Sequence, residues 1–240
     1  MTTRVCAIHQ PNLFPRLSTL AKLHAADIWI VLDSVQFTAR DYQHRAWLES
    51  TDSTHGQWLT APVHRPRGRD TTLDQVRLAD PALTAHRIAS LLHHYYRTSP
   101  RWTQLQPLIE ATAAAAAHTT NLTELTTLST NLLLRHTGWT GEIIHATTIP
   151  TRSHRSERLA DLTTHVNATH YLCGTGGATY LNPQPFTDAG LTIRYTHPPD
   201  IGILRTRRRA TSLWWLAALT CQELNDLLWN QPKATITCPQ

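Results

Sequence analysis

Three residues have the side-chain types needed for nucleophilic acyl chemistry: Cys173, His9 and Asp33. Cys173 closes an apolar run, 170–172, and is followed by Gly174-Thr175-Gly176-Gly177. A thiol at a strand end, followed by small residues, is placed to attack a carbonyl carbon. The free N–H groups of a Gly-rich turn can hold the oxyanion that forms. His9 ends the run 5–8, ahead of Gln10-Pro11-Asn12, and Asp33 ends the run 28–32. Ends of adjacent parallel strands share one rim, so the spacing predicts a triad in which Cys173 attacks, His9 accepts the proton and Asp33 orients His9. Gln10, Asn12, Gln36, Arg45, Gly174, Thr175, Gly176 and Gly177 are the expected substrate-binding groups around it. Bland readings stand beside these. Cys173 can be a small buried residue, His9 a satisfied core histidine, and Asp33 a turn cap. The turn 174–177 can instead be a nest for phosphate. It matches neither G-x-G-x-x-G nor a P-loop.

The elements that must position these groups follow from periodicity. Apolar runs at 5–8 and 28–32 flank a segment with Leu17, Leu20, Leu23 and His24 on one helical face, which is a βαβ unit. Ligands of such units gather at the carboxyl ends of the strands. A hairpin is expected over 45–48 and 57–63 with its turn at 51–56, then a loop at 65–70 and a short strand at 73–78. Helices are predicted over 82–97, 102–118 and 122–135, the last capped by Asn121 and stopped near Gly138. Strands are expected at 143–146, 170–172 and 191–195. Helices are expected at 156–165, 186–189 and, as one long apolar helix, 212–229, with an irregular tail from 231. The expected fold is α/β: a mostly parallel sheet with a Rossmann-like βαβ start, a β-hairpin and a helical insertion. We read 1–240 as a single α/β domain with the insertion or subdomain at about 81–140.

Composition excludes several classes. A hydrophobic fraction of 41% with 16% charged residues fits a globular chain, and no apolar run reaches membrane-spanning length. The first residues lead straight into a strand without a signal-peptide core, so a cytoplasmic location is expected. Net charge is +5, with Arg outnumbering Lys 20 to 2. That bias suggests a GC-rich coding sequence before it suggests a function. The basic clusters 64–69 and 205–209 lack interleaved aromatics, which argues against nucleic acid. Cys6, Cys173, Cys221 and Cys238 form no C-x-x-C pair. The 15 histidines show no H-E-x-x-H spacing. Neither a metal nor a cofactor is expected.

His9-Gln10-Pro11-Asn12, Phe14-Pro15, Asp27, Leu32-Asp33, Val35-Gln36-Phe37 and Arg45 resemble the opening signature of the WbqC-like family. The resemblance continues through Trp58-Leu59-Thr60, Pro62-Val63, Ser156-Glu157-Arg158-Leu159, Tyr171-Leu172, Gly174, Tyr180-Leu181 and His197-Pro198. It implies a setting in polysaccharide or natural-product biosynthesis. Departures from the family pattern are Ser34 in place of a second acidic residue, Cys173 in place of Ser, and Trp215 in place of an Asp three residues after Ser212. The leading expectation is therefore a biosynthetic acyl or aminoacyl transferase, or hydrolase, acting on a small-molecule substrate. Its acyl donor would be a thioester on an acidic carrier protein, a partner suited to a basic chain. One alternative is a nucleotide- or phosphate-dependent transferase of nucleotidyltransferase type, although the second His of an H-x-G-H motif is missing. Another is a non-catalytic scaffold of a biosynthetic complex.

Overall fold

The computed structural model describes residues 3–51, 55–196 and 202–229. The chain opens with β1 (Val5–His9), α1 (Leu17–His24) and β2 (Ile28–Val31). Leu17, Leu20 and Leu23 bury one face of α1. Asp27 fixes the register of the two strands: its N–H donates to the Val5 carbonyl (2.9 Å), and its carboxylate accepts from the Val5 N–H (2.7 Å). The hairpin of β3 (Arg45–Glu49) and β4 (Gly56–Thr60) follows. Next come β5 (Val63–His64) and β6 (Arg77–Leu78), then helices α2 (Pro81–Tyr96), α3 (Trp102–His118) and α4 (Leu122–His136). Alternation then resumes with β7 (Glu142–His145), α5 (Arg155–His165), β8 (His170–Cys173), α6 (Thr175–Ala178), α7 (Gln184–Asp188) and β9 (Thr192–Tyr195). Helices α8 (Gly202–Thr206), α9 (Ser212–Ala218) and α10 (Cys221–Trp229) end the described chain.

The fold is α/β. The main sheet is parallel, in the order β7-β2-β1-β8-β9. The chain steps outward from β1 to β2 and β7, then returns to β8 on the other side of β1. The order therefore reverses between β1 and β8, where open α/β sheets bind ligands. Side chains alternate across the sheet. Val5, Ala7, Trp29, Val31 and Leu172 join one core cluster with α1, α4 and α9. Cys6, Ile8, Ile28, Ile30, Tyr171 and Cys173 join another with α5 and with Phe186 of α7. Helix α4 packs on α1 and α3 packs on α9. Ile88, Leu105 and Leu133 share the first cluster with the sheet.

Several elements differ from the sequence expectation. The run 57–63 is divided into β4 and β5 around Pro62, which has no N–H for a ladder. The stretch 73–78 is a 3-10 turn over Leu73–Gln75 followed by the two-residue β6. The single helix expected over 212–229 is two helices. Thr220 and Glu223 form a reciprocal capping box: the Glu223 carboxylate accepts from the Thr220 N–H (2.7 Å), and the Thr220 hydroxyl accepts from the Glu223 N–H (3.0 Å). Residues 52–54 of the expected turn, His197-Pro198, Cys238 and the tail from 231 lie outside the described residues. Among the described residues, no helix is long and apolar enough to cross a membrane.

Candidate functional site

Strands β1 and β8 are paired as far as Ala7 and Leu172. Beyond that point the Ile8 carbonyl accepts a hydrogen bond from the Lys22 ammonium at 2.8 Å. A cleft of 730 Å³ opens over this gap, bordered by the first turns of α1 and α5. Arg16, Lys22, Arg155 and Arg158 line it together with His9, and among the described residues no Asp or Glu lines it. Lys22 is only 7% exposed. Among the described residues it forms no ion pair with a carboxylate. Burial lowers its pKa to about 8, against the opposing pull of the Cys173 and Cys6 thiols. The cleft floor thus holds a desolvated cation for which the described residues supply no carboxylate. The walls add Ile8, Leu32, Val35, Leu159 and Leu181 as an apolar side.

His9 lines this cleft, as its position after β1 requires. Its Nδ1 lies 2.7 Å from the Gln10 carbonyl. A carbonyl only accepts, so Nδ1 carries the proton and Nε2 carries the lone pair. Burial, then the Lys22 and Arg16 cations, lower its pKa to about 3. The imidazole is neutral at pH 7.

The predicted triad is not assembled. Cys173 is 0% exposed and packs with Cys6, Ile8, Tyr171 and Phe186. His9 alternates with Ile8 and so leaves the sheet on the opposite face, the side of Ala7 and α1. Burial raises the Cys173 thiol pKa, with Lys22, Tyr171 and Arg155 opposing. The thiol faces the Gly174 carbonyl at 3.5 Å. Asp33 does not orient His9 either. The far-side neighbour of β2 is β7, and that strand delivers His145, whose Nδ1 lies 2.6 Å from the Asp33 carboxylate. Asp33 also accepts from the Thr147 N–H (3.0 Å) and hydroxyl (3.3 Å).

The expected binding groups separate into two sets. Gln10, Gly174, Thr175, Gly176 and Gly177 line the cleft. The Gln10 carboxamide is held through its oxygen by Gln43 at 2.8 Å. A Cβ at Gly177 would stand 2.8 Å from Cys173 Sγ, so any larger residue there would displace the thiol. The turn closes through bonds from the Gly177 and Ala178 N–H groups to the Gly174 carbonyl. Thr175 and Gly176 begin α6, so their N–H groups have no helical carbonyl to reach. Asn12, Gln36 and Arg45 do not line the cleft. Asn12 is buried, and its carbonyl accepts from the Thr130 hydroxyl at 3.0 Å. Gln36 donates to the Arg69 carbonyl, and Arg45 donates to the Asp41 and Arg40 carbonyls.

Sequence reasoning missed Lys22, Arg16, Arg155 and Arg158. Lys22 carried a readable signal: it is a lysine on the buried side of α1 in a chain that otherwise uses arginine. Among the described residues, no group of three or more His, Cys, Asp or Glu is placed to hold a metal ion.

A model of the WbqC-like protein family matches residues 10–202. The chain is 25% identical over 190 residues to a protein of Mycobacterium tuberculosis (strain ATCC 25618 / H37Rv) named Uncharacterized protein Rv1507c. That alignment covers 79% of this chain and 80% of the relative. No solved structure gives a significant match.

Proposed function

We propose that this chain, which belongs to the WbqC-like protein family, is a transferase that holds a nucleotide donor by its phosphates in the cleft between β1 and β8. One observation carries the reading: the buried Lys22 ammonium shares the cleft with Arg16, Arg155 and Arg158, and no carboxylate lines it among the described residues. A buried charge is tolerated when something neutralises it, and a phosphate supplies that charge. The apolar wall formed by Leu32, Val35, Leu159 and Leu181 suits a nucleoside. His9 Nε2 takes the proton of an incoming hydroxyl or amine as that group attacks the donor, and the displaced phosphate or pyrophosphate stays with Lys22 and Arg16. Bound phosphates offset Lys22 and Arg16, two of the influences holding the His9 pKa low, so donor binding strengthens the base.

A second reading keeps acyl transfer but moves the phosphate to the prosthetic arm of an acidic carrier protein, with His9 deprotonating the acyl acceptor. The observation that favours it is Arg16, which lines the cleft and also begins a row of cations outside it. A nucleophilic Cys173 draws no support from a buried thiol whose pKa is raised.

Thermal-shift measurements against ATP, the pyrimidine nucleoside diphosphates and inorganic pyrophosphate test the proposal. A nucleotide at a hundred times its Kd should raise Tm by about 5–10 °C. Lys22→Met should remove that shift. No response to any of these ligands would reject the nucleotide donor, and a response without turnover of any acceptor would favour a non-catalytic role.

A further inference from the structure

Outside the cleft, guanidinium groups stack in series on Tyr42, just ahead of β3, and on two rings of the β3–β4 hairpin. Arg16 Cζ lies 4.4 Å from the centre of the Tyr42 ring. Tyr42 and Trp58 are 5.4 Å apart, and Trp58 meets Trp47 edge-on at 5.2 Å. Arg45 Cζ lies 4.1 Å over Trp58, and Arg209 lies 4.4 Å over Trp47 and 5.7 Å from Trp58. Trp47 and Trp58 are cross-strand partners, so β-sheet register fixes the centre of the row. Exposed Arg65 lies four residues beyond Ala61, whose N–H donates to the carbonyl of His44, the neighbour of Arg45, at 2.9 Å.

Two acidic groups stand nearby. The Asp41 carboxylate accepts from the Tyr42 N–H at 2.7 Å and keeps its charge, one against the four arginines. Glu49 pairs with Arg207 at 2.6 Å and accepts from the Trp47 indole. Arg209 and Arg65 are exposed, and neither forms a hydrogen bond or ion pair through its side chain among the described residues. The row is therefore a cationic strip that begins at a cleft-lining residue and runs outward.

We propose that this strip docks the acidic surface of a partner protein and so brings whatever that partner carries to the mouth of the cleft. A guanidinium lying flat on a ring can keep its N–H edge open, as Arg209 does, and that edge is the fork that fits a carboxylate; the Arg45 edge is turned to the Asp41 and Arg40 carbonyls and adds its charge alone. Nucleic acid fits the strip less well. Single strands bind by stacking bases on open aromatic faces, and here each ring of the row carries a guanidinium. The net charge of +5 adds a long-range attraction for an acidic partner. This inference deepens the cleft reading by naming its partner, but the strip can be tested apart from it.

The probes are poly-L-glutamate and an acyl carrier protein in its apo form, with polyuridylate as the nucleic-acid comparison, each titrated against the full chain by calorimetry. At 50 mM salt both acidic probes should bind, and binding should weaken at least tenfold by 300 mM salt. Arg209→Glu and Arg65→Glu should each weaken it about tenfold. Arg209→Lys should fall between, since lysine keeps the charge and loses the stacked fork. Lys22→Met should leave docking unchanged, which separates failure of the strip from failure of the cleft. Three results would each overturn the proposal: no binding of either acidic probe at 50 mM salt, tighter binding of polyuridylate, or binding indifferent to both charge reversals.

Discussion

The carboxyl rim of the sheet has two halves with opposite electrostatics. At the β2–β7 half, Asp33 is 2% exposed and accepts from His145 and twice from Thr147. Its charge is buried and satisfied. At the β1–β8 half, Lys22 is nearly as buried, but among the described residues it bonds only the Ile8 carbonyl, and three arginines line the same cleft with no acid. Both halves have polar residues at strand ends, so strand-end position alone does not make a site. Topology separates them. The β2–β7 crossover continues outward, and its strands stay paired through Val31 and His145. At β1–β8 the direction reverses and the strands part after Ala7 and Leu172. Space for a ligand, and charge awaiting one, occur at the reversal.

If this contrast is right, the two buried charges respond oppositely to removal. Asp33→Ala leaves three donors without their acceptor and should destabilise the fold by about 3 kcal/mol in urea unfolding. Lys22→Met removes an uncompensated buried cation and should stabilise the fold by about 1–2 kcal/mol, net of the lost bond to Ile8. A destabilised Lys22→Met protein would mean that the ammonium serves the fold rather than a ligand. Cys173→Ala should cost about 1 kcal/mol, from the small void left against Tyr171 and Phe186, and should leave nucleotide binding intact. Loss of binding in that variant would return Cys173 to the site.

The pH dependence of stability sharpens the same contrast. Burial holds the folded-state pKa of Lys22 near 8, against 10.5 for a lysine in water. Between those values the unfolded chain holds a proton that the folded chain has released, so stability should rise with pH across that window. His9 falls from 6.5 to about 3 on folding. In that window the unfolded chain again holds the extra proton, so stability should fall as the solution is acidified from 6.5 toward 3. His9→Gln should flatten the acid limb, and Lys22→Met should flatten the alkaline rise.

The βαβ start was legible because apolar periodicity marks its strands and its helix, and His9 ends β1 and lines the cleft. The Gly-rich turn also fell at the cleft. The triad was not legible. Which face a strand's last residue uses depends on alternation from the paired core, and that puts His9 and Cys173 on opposite faces. The partner of Asp33 arrives on β7, more than a hundred residues later, and nothing local announces it. Lys22 was hidden by its position in an apolar helical pattern. The break between α9 and α10 was readable in principle, since Thr220-Cys221-Gln222-Glu223 has the spacing of a capping box.

The central claim is that Lys22 awaits a phosphate. Calorimetric titration with ATP from pH 7.5 to pH 9.5 tests it most directly, because the phosphates stay fully ionised while Lys22 loses its proton. The account predicts that affinity falls about tenfold or more across that range, and that Lys22→Met binds as weakly at pH 7.5 as the unaltered chain does at pH 9.5. Equal affinity for the two proteins at pH 7.5, with the same flat pH profile, would contradict it.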